Sequence, residues 1–303
     1  MTRIRLDIAY DGTHYAGWQI QPDEPTVQAV IERALGRLYG RPVRVAGASR
    51  TDAGVHALHQ VASFDTRGDD VAIPPEKVAV AMSRDLPGDV SVLRSRAESD
   101  GWHPIASVTS KRYRYLFAVG DVAHPLVDAF AWRVRRPLDV DAMQTAAARL
   151  LGRHDFAAFE TTGAPRASTI RTVFAHTVSA TEDWSPLQLP SLPGVDRELI
   201  RLEIEGDGFL YNMVRTIAGT LLKVGRGAWT ADDVAAILAS CDRTQAGETA
   251  PARGLALMQV RYEDDRMFGD VGSETLAAAS HGVVAASRPS STSPPSQRPD
   301  DVT

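Results

Sequence analysis

The 303-residue chain has one cysteine, Cys241, which excludes an internal disulfide framework and any cysteine-based metal site. It has no apolar run near the length of a membrane span. The opening Met1-Thr2-Arg3-Ile4-Arg5-Leu6-Asp7 alternates in charge and lacks the apolar centre of a secretory signal. Positive charge is scarce as well: 33 Lys and Arg against 38 Asp and Glu give −5. From Asp270 onward there are four carboxylates and two arginines, so −2 of that charge lies in the tail and −3 in the body. Net basicity therefore gives no argument for a nucleic-acid partner, which would need cations gathered on one face. No dinucleotide fingerprint or P-loop is present. The expectation is a cytoplasmic protein without cofactor or resident metal.

Periodicity predicts a mixed α+β fold. Ile4, Leu6 and Ile8 alternate with Arg3, Arg5 and Asp7, as in a half-buried strand. Asp11 to Glu24 carries Gly12, Gly17 and Pro22 and reads as a loop, with Tyr15, Trp18 and Gln19 on it. Val27, Val30, Ile31, Ala34, Leu35 and Leu38 repeat at helical spacing behind Thr26 as N-cap. Strands are expected at 43–46, 60–64 and from Val90, and a helix from Pro74-Pro75 through Ala81. This β-α-β-β-α-β order over 1–105 is the ferredoxin-like arrangement. A similar order follows over 106–269. Strands are expected at 111–119, 170–179, 199–205 and 255–262, and helices behind Asp139, over 210–224 and behind Thr230. The halves share no visible sequence similarity. The Pro- and Ser-rich stretch 181–196 reads as a surface insertion, and 270–303 is too poor in large apolar residues to offset its ordering entropy.

The chemistry concentrates in Gly47-Ala48-Ser49-Arg50-Thr51-Asp52-Ala53-Gly54-Val55-His56. Two strands flank it and two glycines bracket it, so it is a loop presented by a sheet. A carboxylate beside a permanent cation suits a nucleophile or an anchor for a positive centre. The ordinary reading is an Asx-turn with a solvated Arg–Asp pair. In Lys111-Arg112-Tyr113-Arg114-Tyr115-Leu116-Phe117, alternation puts Tyr113, Tyr115 and Phe117 on one face and Arg112, Arg114 and Leu116 on the other. An RNA recognition motif needs small residues where Arg112 and Arg114 stand, so that motif is not matched. An edge strand with an aromatic core face and a basic solvent face is the ordinary reading.

Arg50-Thr51-Asp52-Ala53-Gly54-Val55-His56-Ala57 resembles the active-site signature of the tRNA pseudouridine synthase A family. Five further blocks resemble that family in the same order: Tyr10 to Gln19, Lys111 to Tyr115, Gly152 to Phe156, Phe209 to Gly219, and Ala250 to Leu255. The resemblance spans residues 3–262. It implies two ferredoxin-like (RNP-like) halves in one extended, mostly antiparallel sheet flanked by helices, with the catalytic cleft between them. It also implies conversion of uridine to pseudouridine at positions 38–40 of the tRNA anticodon stem-loop by a homodimer. That reaction breaks N1–C1′, turns the base and joins C5 to C1′; it is redox-neutral and takes no external group.

By the same resemblance, Asp52 is the nucleophile and Tyr113 stacks on the target base or takes a proton from it. Arg215, on an otherwise apolar helix, pairs with Asp52, a surface carboxylate being the ordinary alternative. Arg50 is suited to fill the space of an extruded base, being planar and permanently charged. Trp18, Gln19, Lys111 and Arg112 are further candidates for substrate contact. The chain departs from the pattern at Trp102-His103-Pro104-Ile105-Ala106, where relatives often carry an Arg. The phosphate contact implied there is absent or supplied by Lys111.

Two other functions compete. One is a non-catalytic RNA-binding or chaperone-like protein of the same fold, against which an intact Arg50-Thr51-Asp52 argues. The other is a metal-dependent hydrolase built on Asp52, His56 and His59, but His-x-x-His without a third ligand cluster is a weak metal signal. His56 is expected to hydrogen-bond within its own loop. Truncation after Asp270 is expected to leave the implied activity unchanged in a tritium-release assay on tRNA, whereas an inactive truncation would give the tail a role.

Overall fold

The computed structural model describes residues 1–161, 168–181, 198–263 and 265. Met1–Glu263 form one compact unit. The first half contributes β1 (Arg3–Tyr10), α1 (Val27–Tyr39), β2 (Ala46–Gly47), β3 (His56–Asp65), α2 (Val78–Met82) and β4 (Val90–Ala97). Then come β5 (Val108–Val119), α3 (Pro125–Asp128), β6 (Trp132–Val134), α4 (Val140–Ala148), β7 (Gly152–Asp155), β8 (Ile170–Thr181) and β9 (Glu198–Gly206). The described chain closes with α5 (Met213–Gly225), α6 (Ala231–Ser240) and β10 (Leu255–Tyr262).

All ten strands join one sheet, ordered β4-β1-β3-β10-β5-β9-β8-β7, with β2 on β3 and β6 on β5. The order fourth-first-third-second occurs twice, as β4-β1-β3-β2 and as β10-β5-β9-β8. Element order in the sequence pointed to this repeat, and the pairing realises it in space. Every pairing is antiparallel except β5 with β6 and β3 with β10. β3 and β10 pair through only Ala256 with His56 and Leu257 with Ala57, and this short ladder joins the half-sheets.

Alternation decides what each face carries. Leu6 and Ile8 of β1, Tyr115 and Phe117 of β5, and Leu202 and Ile204 of β9 are buried with the apolar stripes of α1, α2, α4, α5 and α6 in one core. The opposite face is polar and largely ion-paired: Arg5 with Asp7 at 2.7 Å, Arg112 with Glu205 at 3.1 Å and Arg114 with Glu203 at 2.6 Å. Short α3 lies over that face, where Val127 and Ala131 pack with Ala118 and Leu199.

Two expectations are corrected, and two strands were not foreseen. β5 is an interior strand between β10 and β9, not an edge, and its basic face meets glutamates rather than only solvent. Of the run 43–46 only Ala46 pairs, continuing into Gly47, while Val43 and Val45 turn inward without a ladder partner in the sheet. β6 and β7 are strands without a periodic signal, fixed by pairing with Phe117–Val119 and with Ile170–Val173. Most of the insertion 181–196 and the whole tail 270–303 lie outside the described residues. No described helix is long and apolar enough to cross a membrane.

α5 is placed by a close backbone approach along its first two turns. The Gly247 N–H donates to Thr220 Oγ1 at 2.9 Å, and the Ala250 N–H donates to the Arg215 carbonyl at 3.1 Å. A Cβ on Gly219 would stand 1.8 Å from the Glu248 carbonyl oxygen, a contact only backbone movement can relieve. Gly219→Ala is therefore expected to cost about 1–3 kcal/mol by overpacking and to lower Tm by roughly 5 °C. Thermal melting checks this against Gly68→Ala, where nothing lies within 4 Å of the added carbon. Equal melting of both variants would refute the close approach.

Candidate active site

The loop between β2 and β3 is fixed from three parts of the chain. From the N-terminal segment, the Trp18 N–H donates to the Thr51 carbonyl at 3.0 Å and the Tyr15 carbonyl accepts from the Gly54 N–H at 3.2 Å. Gly17 makes this possible, because its φ is +103° and a Cβ there would lie 2.5 Å from the Thr51 oxygen. From β3, the fully buried Gln60 side chain acts as a substitute strand partner for Ser49. Its Oε1 accepts from the Ser49 N–H at 3.2 Å and its Nε2 donates to the Ser49 carbonyl at 2.7 Å. From β5, Lys111 Nζ donates to the Ala48 carbonyl at 2.8 Å.

Held this way, the loop alternates like a strand. Ser49 and Thr51 point inward and are buried, whereas Arg50 is exposed and the Asp52 side chain keeps 26% of its surface open. The inward hydroxyls are satisfied: Thr51 Oγ1 lies 2.7 Å from Tyr10 Oη, and Ser49 Oγ 2.9 Å from Tyr113 Oη.

The Asp52 carboxylate faces a cation from the other half. Arg215 Nη1 lies 3.4 Å from Asp52 Oδ2 and donates to Asn212 Oδ1 at 2.7 Å, while Nε donates to the Ala250 carbonyl at 2.8 Å. Tyr113 is buried edge-on against Phe209, with ring centroids 5.2 Å apart. Burial pushes its phenol up to about 12, the nearby Asp52 charge pushes the same way, and the Ser49 hydrogen bond opposes both. A desolvated neutral phenol therefore stands near an accessible carboxylate, and a guanidinium faces that carboxylate from the other half.

The other sequence candidates separate. Trp18 is buried with its indole against Gly47, where a Cβ would fall 2.4 Å from Nε1, so it supports the loop from beneath. Gln19 is exposed at the next position. Lys111 is bound to the loop carbonyl. Arg112 lies on the face of β5 opposite Tyr113, paired with Glu205. His56 does not bond within its loop: Nδ1 accepts from the Gly12 N–H at 3.1 Å and Nε2 donates to the Arg253 carbonyl at 3.1 Å. Burial lowers its pKa, against the pull of Asp11 3.0 Å away. A ring protonated on Nε2 satisfies both backbone bonds, while Asp11, 3.0 Å from Nδ1, favours the charged ring that burial opposes. His59 has other partners, with Nε2 3.5 Å from Asp7 and Nδ1 accepting from the Val260 N–H. The two imidazoles do not converge, and no group of three or more His, Cys, Asp or Glu among the described residues could hold a metal ion.

Sequence reasoning passed over Gln60 and Asn212. Gln60 left a trace, a lone amide at an apolar position of an alternating run. Asn212 fell inside the helix expected over 210–224, with no local signal to single it out.

A profile described as tRNA pseudouridine synthase matches residues 8–104 and 146–263, more than half of the chain. The chain belongs to this family. The tRNA pseudouridine synthase A of Thermoanaerobacter sp. (strain X514) is 42% identical over 262 residues, covering 86% of this chain and 100% of the relative. That of Pelobacter propionicus is 44% identical with the same coverage, and that of Myxococcus xanthus is 39% identical over 93% of this chain. A chain of a Cbf5-Nop10-Gar1 complex aligns with 84% of this chain and 49% of its own length at 12% identity and a TM-score of 0.32, too loose a match to describe this fold. This member of the family is an isomerase that makes pseudouridine in tRNA. The profile leaves 105–145 unmatched, which is where β5 brings Tyr113 to the loop.

Tyr113 is expected to keep its proton until about pH 12. The unfolded phenol ionises near pH 10, so this group's contribution to stability is full below that pH and lost as pH rises toward 12. The phenolate absorbance difference between wild type and Tyr113→Phe measures it; a component titrating near 10 would contradict the burial.

Proposed function

We propose that Asp52 is the nucleophile and that the target is uridine at positions 38–40 of the anticodon stem-loop. The observation that supports this reading best is the 3.4 Å approach of Arg215 to a carboxylate that is held on a rigid loop yet still a quarter open. A carboxylate fixed in place and kept partly solvated meets the requirement for covalent catalysis.

In this reading a carboxylate oxygen of Asp52 forms a bond to ribose C1′ or to C6 of the base, and the N1–C1′ bond breaks. The base turns, C5 bonds to C1′, the carbon–oxygen bond to Asp52 returns its electron pair to the carboxylate, C5 loses its proton to water and N1 gains one from water, so the product is an isomer of the substrate. No electrons are gained or lost overall. Tyr113, as a neutral phenol with its hydroxyl on Ser49, packs against the base, and Arg215 balances the charge that appears and disappears on Asp52. Arg50, exposed on the same loop, enters the helix as the base leaves it, offsetting unstacking of about a few kcal/mol. A homodimer acting in the cytoplasm completes the reading: facing basic surfaces from two subunits let a chain of net charge −5 hold RNA.

The test is tritium release from tRNA labelled at uridine C5. Wild type is expected to release tritium, and Asp52→Asn to bind the same tRNA with no release above background. Release by Asp52→Asn would remove the nucleophile assignment. Transcripts with cytidine in place of uridine at 38, 39 or 40 check the position, since unchanged release from a triply substituted tRNA would place the target elsewhere.

A further inference from the structure

We infer that Asn212 is a positioning residue for the reaction, holding the Arg215 guanidinium beside Asp52 while the charge on that carboxylate changes. The inference rests on the reading of Asp52 as nucleophile.

The backbone at Asn212 is the first sign. It stands at the N-cap of α5 with φ 60° and ψ 4°, the left-handed region, and its side chain makes no cap hydrogen bond to the helix. An Asn at an N-cap ordinarily adopts an extended backbone and accepts from an N–H of the first turn. Here the helix start is secured by the backbone instead, with the Thr216 N–H donating to the Asn212 carbonyl at 2.9 Å. Left-handed backbone in a residue with a Cβ carries a cost and tends to collect at functional sites.

The side chain shows what the geometry achieves. Oδ1 accepts from Arg215 Nη1 at 2.7 Å, and Nδ2 donates to Thr161 Oγ1 at 3.1 Å, so the amide is anchored and cannot simply follow the arginine. The same Nη1 reaches Asp52 only at 3.4 Å, and Nε is held by the Ala250 carbonyl at 2.8 Å. Arg215 is thus placed by two neutral oxygens and only loosely by the carboxylate.

This division suits covalent chemistry. When Asp52 bonds to carbon it loses its formal charge, and a guanidinium placed by that charge alone would lose its anchor. When the carbon–oxygen bond breaks again, the charge returns and the cation must already be there. Asn212 and Ala250 keep it there through both steps, which is preorganisation in the physical sense. Because they also take the shorter bonds, Arg215 is not drawn onto Asp52 as a tight pair.

The experiment uses single-turnover tritium release with the full chain in excess over labelled tRNA. Asn212→Gly accepts the left-handed backbone, so its Tm should not fall, and its Kd for tRNA should stay within twofold. Its release rate is expected to drop about tenfold, the scale of one lost charge-assisted hydrogen bond. In an Arg215→Lys background the same substitution should slow release less than twofold, because its effect passes through the guanidinium. An unchanged rate, an equal tenfold loss in both backgrounds, or a loss that follows Tm or tRNA affinity would each overturn the inference. Asp52→Asn, run in parallel, separates the two readings. Release from that variant removes the nucleophile assignment itself, whereas an inactive Asp52→Asn beside a full-rate Asn212→Gly removes only the role of Asn212.

Discussion

Two residues of parallel pairing between β3 and β10 join the half-sheets whose residues make up the candidate active site. Ala256 opposite His56 and Leu257 opposite Ala57 are the whole ladder between the two halves of the sheet. The loop that carries Asp52 enters β3 at that point, while Tyr113 stands on β5, the next strand beyond β10, and Arg215 on α5. Asp52 and Arg215 are 163 positions apart in the chain, and this seam, with the bonds of Lys111 and Tyr113 to the loop, makes them neighbours. So short a ladder needs support, and His56 gives it by bonding the Gly12 amide on one side and the Arg253 carbonyl on the other. The imidazole that suggested a metal ligand instead ties two remote backbone segments to the seam.

The loop lies at the surface but is held as firmly as the core. Gln60, Ser49, Tyr10, Thr51 and Tyr113 form a buried polar cluster beneath it in which each hydroxyl or amide has a partner. A half-satisfied cluster would be costly in so dry a place, so its members specify one arrangement of the loop. That arrangement is extended, with Ser49 and Thr51 inward and Arg50 and Asp52 outward. The period of two decides which groups face outward, since shifting the loop by one residue would bury the carboxylate and expose the hydroxyls.

Features that depend on near neighbours were legible in the sequence. The alternation of β1, the amphipathic stripe of α1, the Asp139 cap of α4 and the Thr230–Asp233 capping box of α6 are all encoded within a few residues. The octapeptide around Asp52 and the order of the six blocks pointed to the family before any contact was known. Features decided at long range were not legible. Gly152–Asp155 has no strand pattern and becomes β7 only because β8 offers its edge. Alternation placed Arg112 and Tyr113 on opposite faces, but nothing local told which face would meet Glu205. Trp18 looked like a contact for RNA because aromatic residues in loops are ambiguous, and a glycine 29 positions later, Gly47, fixes its place beneath the loop.

The same pairings limit where tRNA can be held. Arg5, Arg41, Arg112 and Arg114 each face a carboxylate of the same chain at low exposure, and breaking such a pair to reach a phosphate would leave a buried anion uncompensated. Cations at the open surface carry no such penalty. Arg50 is one, and Arg135, Arg136 and Arg226 are others, all exposed and without an ion pair to the described residues. Of these only Arg50 shares a loop with Asp52. A chain with more carboxylates than cations can therefore still bind RNA, because its partly buried arginines serve the fold and its exposed ones remain available to phosphate. Arg50 is exposed beside Asp52 because the alternation that turns Asp52 outward turns Arg50 outward as well.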